Sequence, residues 1–155
     1  MALKSDFNEA RSMKDVEKQK ETLYQKILNS FIYAAETFIA NAREQVQDHA
    51  KGTYVDQTGN LRNSIGYFIF YNGELVHEKN EIITNKFKVE ELIKPTGFQM
   101  ILIAGMNYAS YVESKGYNVI SYQADVCMVD LAGYLENLDV IKEGTAARME
   151  ETFIP

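Results

Sequence analysis

The stretch that decides the fold is Phe98-Gln99-Met100-Ile101-Leu102-Ile103-Ala104-Gly105, continuing into Met106-Asn107-Tyr108-Ala109-Ser110-Tyr111-Val112-Glu113-Ser114-Lys115-Gly116-Tyr117. Its first half is an apolar run of strand length, and the bounding Pro95, Gly97 and Gly105 favour a strand over a piece of buried helix. We expect Phe98 to Ala104 to be the central strand of a small sheet. The second half is a compact aromatic turn. Tyr108, Tyr111 and Val112 lie at offsets of three and four, so one helical turn places them on one face, with Glu113 beside it. No acid, base or nucleophile cluster follows, which makes this a packing motif first.

Upstream, Ser64 to Tyr71 alternates in a way that puts Ile65, Tyr67, Ile69 and Tyr71 on one face. Ser64, Gly66, Phe68 and Phe70 fall on the other, so both faces carry aromatics and both are candidates for burial. Asn72-Gly73 is a strong hairpin signal, because a type I′ turn needs positive φ at both central residues. The returning strand, Glu74 to about Lys79, is polar enough to be an edge, where charges discourage unwanted pairing. Asn80 to Pro95 admits either a strand or a short helix.

From Lys20 to Ala50, Leu23, Ile27, Phe31, Ala34, Ala35, Phe38, Ala42 and Val46 recur at helical spacing, and Gly52 supplies the stop. Thirty residues of helix span roughly 45 Å, more than a domain of this size needs for its own core, so part of it should touch something else. Residues 1–20 are polar and charge-mixed, and read as an arm that is frayed or helical but has no core face. At the other end, Ala124, Cys127 or Met128, Leu131, Leu135, Leu138 and Ile141 hold helical spacing to about Lys142, with Ser121 and the nearby Asp125 as candidate caps. Gly144 ends that helix, and Thr145 to Phe153 suits one more short one. The fold class expected is α+β, with a long N-terminal helix, a small antiparallel sheet of three to four strands and a C-terminal helix packed on the sheet. Residues 21–155 form a single domain after the arm.

At 155 residues one domain with one real core is expected. The single cysteine, Cys127, excludes an internal disulfide and suits a reducing compartment. No stretch approaches the roughly 18 to 20 apolar residues of a membrane helix, and charged residues stand where a signal peptide has its apolar region. Net charge is −6, from 16 Lys plus Arg against 22 Asp plus Glu, which argues against gripping nucleic acid by neutralising phosphates.

Catalytic signals are sparse. His49 and His77 lack zinc-site spacing and suit surface roles, and Cys127 reads as a small core residue. No nucleophile elbow, phosphate loop or dinucleotide fingerprint is present. Asp56, Glu74, Glu78, Lys79 and Glu81 surround the hairpin and are the basis of an alternative reading, a small metal-dependent nuclease. A solvated charged edge accounts for the same residues without metal. A third reading is a ligand-binding or adaptor module. Ten Tyr and eight Phe with no Trp suit surfaces where a ring is buried and its polar tip kept wet.

Two motifs carry a family resemblance. Tyr108-Ala109-x-Tyr111-Val112-Glu113 with Gly116, preceded about fifty residues earlier by Thr58-Gly59-x-Leu61-Arg62-x-Ser64-Ile65, resembles the tail-completion family of long-tailed bacteriophages, the head-tail joining or neck proteins. The commoner family form places the glycine two residues after the glutamate, whereas Ser114 and Lys115 intervene here. The resemblance implies a non-enzymatic virion component at the head-tail junction, made in the host cytoplasm and working without a cofactor. It would form a homo-oligomeric ring of six or twelve copies between the portal-proximal adaptor and the tail terminator or tail tube, through which DNA passes without specific binding. It involves no membrane. Arg62 and Glu113, one from each motif, each lie beside residues expected in the core, Leu61 and Ile65 for the first and Tyr111 and Val112 for the second. They leave two readings open: a partly buried bidentate contact locking the segments together, or two exposed charges worth about 0 to 1 kcal/mol as a pair.

Overall fold

A computed structural model describes residues 3–45, 58–80, 86–106 and 108–138. The chain begins with helix α1 (Leu3–Gln45), 43 residues long. At 1.5 Å per residue that is about 65 Å. It starts well before the expected Lys20, so the polar arm is the first part of one continuous helix. Every residue from Glu9 to Thr22 is exposed, which agrees with an extension lacking a core face. Burial begins only where the apolar spacing does, and Phe31, Ala34, Ala35, Phe38, Ile39 and Ala42 form the inner stripe. The expected stop at Gly52 lies outside the described residues.

The single turn α2 (Asn60–Asn63) leads into β1 (Ile65–Tyr71), which turns back through Asn72 and Gly73 into β2 (Glu74–Lys79). Asn72 has φ 51° and Gly73 φ 83°, the left-handed pair that a type I′ turn demands. Ile69 stands opposite His77 but Phe70 opposite Leu75, so Val76 is an extra residue and forms a bulge. The ambiguous segment contains a short helix, α3 (Lys86–Glu90), before β3 (Phe98–Ala104). Then follow α4 (Ala109–Ser114) and α5 (Ser121–Glu136). Residues 139–155, with Gly144 and the expected last helix, lie outside the described residues.

The architecture is α+β, with one antiparallel sheet in the order β2-β1-β3. The central strand is therefore β1, and the expectation that Phe98 to Ala104 would be central is corrected. β1 is the strand that pairs on both sides, with β2 through the Asn72-Gly73 hairpin and with β3, and it buries bulky side chains on both faces. Ile65, Tyr67 and Ile69 join the core shared with α1 and α5, while Phe68 and Phe70 join Ile101, Ile103 and Val89 beneath Leu92 and Ile93. β3 runs along one side of β1 in unbroken register, Ile65 opposite Ala104 to Tyr71 opposite Phe98. α5 packs along α1, and its buried Ala124, Cys127, Leu131 and Leu135 belong to the same core as the sheet's inner face. At the hairpin end, rings from Tyr24, Phe31, Tyr71 and Phe98 stack with centroids 4.6 to 5.3 Å apart and pin α1 to β1 and β3.

Two glycines make opposite predictions. A Cβ on Gly66 would lie 2.5 Å from the Lys79 carbonyl oxygen, a backbone atom with no room to yield, whereas a Cβ on Gly133, within α5, meets nothing within 4 Å. Gly66→Ala should lower stability by about 1 to 3 kcal/mol. Gly133→Ala should raise it by about 0.5 to 1 kcal/mol. Urea midpoints of the two variants check both signs.

Candidate functional site

The first motif folds as the single helical turn that leads into β1. Gly59 takes φ 73° and opens α2, with Asn63 N–H donating back to the Gly59 carbonyl at 3.0 Å. Thr58 Oγ1 accepts from Asn60 N–H at 3.3 Å. Leu61 and Ile65 are fully buried, Arg62 is half-buried, and Ser64, 1% exposed, is the buried polar residue between them. Its hydroxyl donates to the Leu61 carbonyl at 2.7 Å, and its carbonyl accepts from Gly105 N–H at 3.0 Å. That last bond ties the first motif to the start of the second. Arg43 Nη2 also donates to the Ile65 carbonyl at 3.2 Å, fixing the end of α1 to the same junction.

In the second motif α4 turns Ala109 inward, fully buried, with Val112 packed against the core that holds Leu61 and Ile65. Tyr111 does not share that face. It is 62% exposed, which corrects the expectation that Tyr111 goes to the core with Val112, and Tyr108 is 40% exposed. The offsets were right for a helical turn, but the small Ala109 is what fits against the sheet. Gly116, at φ +84°, closes α4, its N–H donating to the Glu113 carbonyl at 2.9 Å.

Glu113 acts through its side chain on α5. Its Oε1 accepts from the backbone N–H of Val119, Ile120 and Ser121 at 2.9, 2.8 and 3.1 Å. These are donors that the start of a helix otherwise leaves unsatisfied, and the negative charge suits the positive end of the helix dipole. Asn118 Oδ1 adds an acceptor for Tyr122 N–H at 3.1 Å. The expected Ser121 and Asp125 cap is thus replaced by a carboxylate supplied from the preceding helix. No ion pair joins Glu113 to Arg62 among the described residues, and the cap explains why: the carboxylate faces α5.

A third group was not foreseen. Tyr67, completely buried, donates its hydroxyl to Glu36 Oε1 at 2.8 Å, while Glu36 Oε2 accepts from Lys79 Nζ at 2.6 Å. His77 Nδ1 lies 3.2 Å from the same hydroxyl, and its ring stacks on Tyr67 with the planes 8° apart. With the hydroxyl hydrogen directed at Glu36 Oε1, the imidazole tautomer that carries its hydrogen on Nδ1 completes the contact to the phenol oxygen. The expected surface role for His77 is corrected accordingly. Burial alone would raise the Glu36 pKa, but the Lys79 and Tyr67 hydrogen bonds together with the Lys79 charge hold it below the usual carboxylate range. Burial first, then the bond to Glu36, pushes the Tyr67 phenol well up, so it stays protonated. The group clamps α1 to β1 and β2. Its signal in sequence was an acid, Glu36, placed beside the core residues Ala34 and Ala35. Its partner could not be read, since an unbulged Asn-Gly hairpin sets Tyr67 opposite Glu78, and the Val76 bulge moves Lys79 there instead.

Other candidate chemistry resolves simply. Burial drives the Cys127 thiol up to about 12, and Sγ leans on the Ala34 carbonyl at 3.5 Å, so it is a packed core residue. Glu78 accepts from Asn80 Nδ2 at 2.7 Å, and Glu74 is exposed at the sheet edge. Asp56, Glu81 and His49 lie outside the described residues. Among the described residues no group of three or more His, Cys, Asp and Glu could hold a metal ion, and no helix is long and apolar enough to cross a membrane. No protein-family model, curated protein or solved structure matches this chain.

Two predictions follow from this geometry. Glu113→Ala orphans two buried amides and should cost roughly 1 to 3 kcal/mol, with Glu113→Gln, which keeps an acceptor oxygen, losing less; calorimetric midpoints decide. Glu36 has a folded-state pKa below the ordinary glutamate range, so its contribution is present above the unfolded pKa and fades as pH falls through the folded one. Glu36→Gln should therefore flatten stability between about pH 6 and pH 3, by under about 1 kcal/mol because the Glu36 and Lys79 side chains are 40% and 42% exposed. A wild-type slope retained in the variant contradicts this assignment.

Proposed function

We propose that this chain is a structural neck protein of a long-tailed bacteriophage, joining head to tail as one copy in an oligomeric ring of six or twelve. The observation that carries this reading is the shape of α1. Fourteen consecutive exposed residues, Glu9 to Thr22, extend the helix past the domain's own core. Such a helix standing alone in water is marginal, and packing against a neighbour would stabilise it. The reading is supported by the placement of exposed aromatic side chains, Tyr33, Tyr108, Tyr111, Tyr117 and Tyr122, around the helical layer. Rings of this kind, amphipathic and low in rotamer entropy, suit subunit contacts. The two resembling motifs hold loops in place and carry no reacting group. In this account the portal-side adaptor and the tail terminator or tail tube contact opposite faces of the ring, at the head-tail junction of the virion. A net charge of −6 keeps DNA from sticking in the channel.

Native mass spectrometry and negative-stain imaging of the purified full chain should show closed rings that grow with protein concentration. Replacing the exposed Met13 and Val16 by Glu should abolish the rings while leaving the thermal midpoint within about 2 °C, because neither side chain belongs to the core. A chain that stays monomeric with and without virion fractions, or that hydrolyses DNA with added divalent metal, contradicts the reading.

A further inference from the structure

The sheet has two outer edges, and they are built differently. β2 carries Glu74, Glu78 and Lys79 with His77, and a bulge at Val76. Charges and bulges are the devices by which sheets discourage an edge from pairing with another chain. β3 has neither: Phe98-Gln99-Met100-Ile101-Leu102-Ile103-Ala104 contains no charge, and its register with β1 is unbroken. The flanking bonds, Gly105 N–H to the Ser64 carbonyl and Asn72 N–H to the Gly97 carbonyl, set the alternation. Odd-numbered residues of β3 exchange hydrogen bonds with β1, so the backbone groups of Phe98, Met100, Leu102 and Ala104 point away from it. Among the described residues no strand takes them up.

We propose that β3 is a pairing edge whose partner is β3 of a second copy, running antiparallel so that two three-stranded sheets become one. Symmetry and charge single out a copy of itself. The outward residues lie evenly about Ile101, so a two-fold axis there sets Met100 against Leu102 and Phe98 against Ala104, donor to acceptor throughout. No charge meets its like along the strand, whereas docking on another copy's β2 would meet carboxylates and a bulge. Faces are preserved too: Phe98, Met100, Leu102 and Ala104 continue the core under the helices, and Ile101 and Ile103 continue the second cluster. An isologous contact of this kind closes on itself as a pair. It stands apart from the ring reading, which needs a head-to-tail surface.

The test uses the position on the axis. In this pairing the two copies of residue 101 face each other as a non-hydrogen-bonded pair with Cα atoms about 4.5 Å apart. That separation suits a disulfide. With Cys127→Ala as background, Ile101→Cys should give a covalent dimer on mild oxidation and Ile103→Cys should not. In the wild-type chain, hydrogen exchange at Met100, Leu102 and Ala104 should slow at least about tenfold as the protein is concentrated. Leu102→Lys, which gives β3 the guard that β2 already has, should remove that dependence. A monomer by sedimentation up to the highest soluble concentration overturns the proposal. Oligomers that neither slow those three amides nor cross-link through residue 101 overturn it as well, while leaving self-association by another surface intact.

Discussion

Everything in this molecule depends on one contact, the apolar stripe of α1 laid along the inner face of β1. Phe31, Phe38 and Tyr67 are among its largest fully buried side chains, and each belongs to that interface. A fully buried side chain of this size contributes roughly 1.5 to 3 kcal/mol relative to exposure, far more than any surface ion pair here. A buried phenol needs a partner, however, and Tyr67 finds Glu36 on the helix. The polar clamp therefore fixes which turn of α1 meets the sheet, while the apolar stripe supplies most of the energy.

The two sequence motifs act one layer out from that contact. Ser64 and Gly105 join α2 to the end of β3, and Glu113 joins α4 to the start of α5. Each bond satisfies backbone groups that a tight connection would leave buried and unpaired. They leave the tyrosines of α4 facing solvent, so the same short segments stiffen the domain and shape its surface. The active chemistry of the site is hydrogen bonding between segments.

Much of the fold was legible because it is local. The Asn72-Gly73 turn, the alternation of β1 on two apolar faces and the helical spacing from Leu23 to Ala42 are each written within a few residues. What stayed hidden depends on distant partners. The apolar character of Phe98 to Ala104 suggests a central strand, but strand order is decided by which neighbour β1 accepts on each side. The Val76 bulge, which brings Lys79 to Tyr67, leaves no mark in a strand of mixed polarity. Spacing puts Tyr108, Tyr111 and Val112 on one helical face, but it does not say how much of that face is buried, and the smaller Ala109 is what the core admits. Glu113 looked like half of an ion pair, and only the path of the chain from Gly116 to Ser121 shows that it caps a helix. The arm's continuity with α1 is not written in its polarity, which read alone does not distinguish a solvated helix from a frayed end.

The proposed neck role rests on part of the longest helix being held for a neighbour. Amide exchange along α1, compared between dilute and assembled protein, measures that directly. The account predicts that residues 9–22 exchange within a few fold of an isolated helical peptide when dilute and become protected on assembly, while residues 31–42 stay slow in both states. Exchange of residues 9–22 that is the same in both states would contradict it.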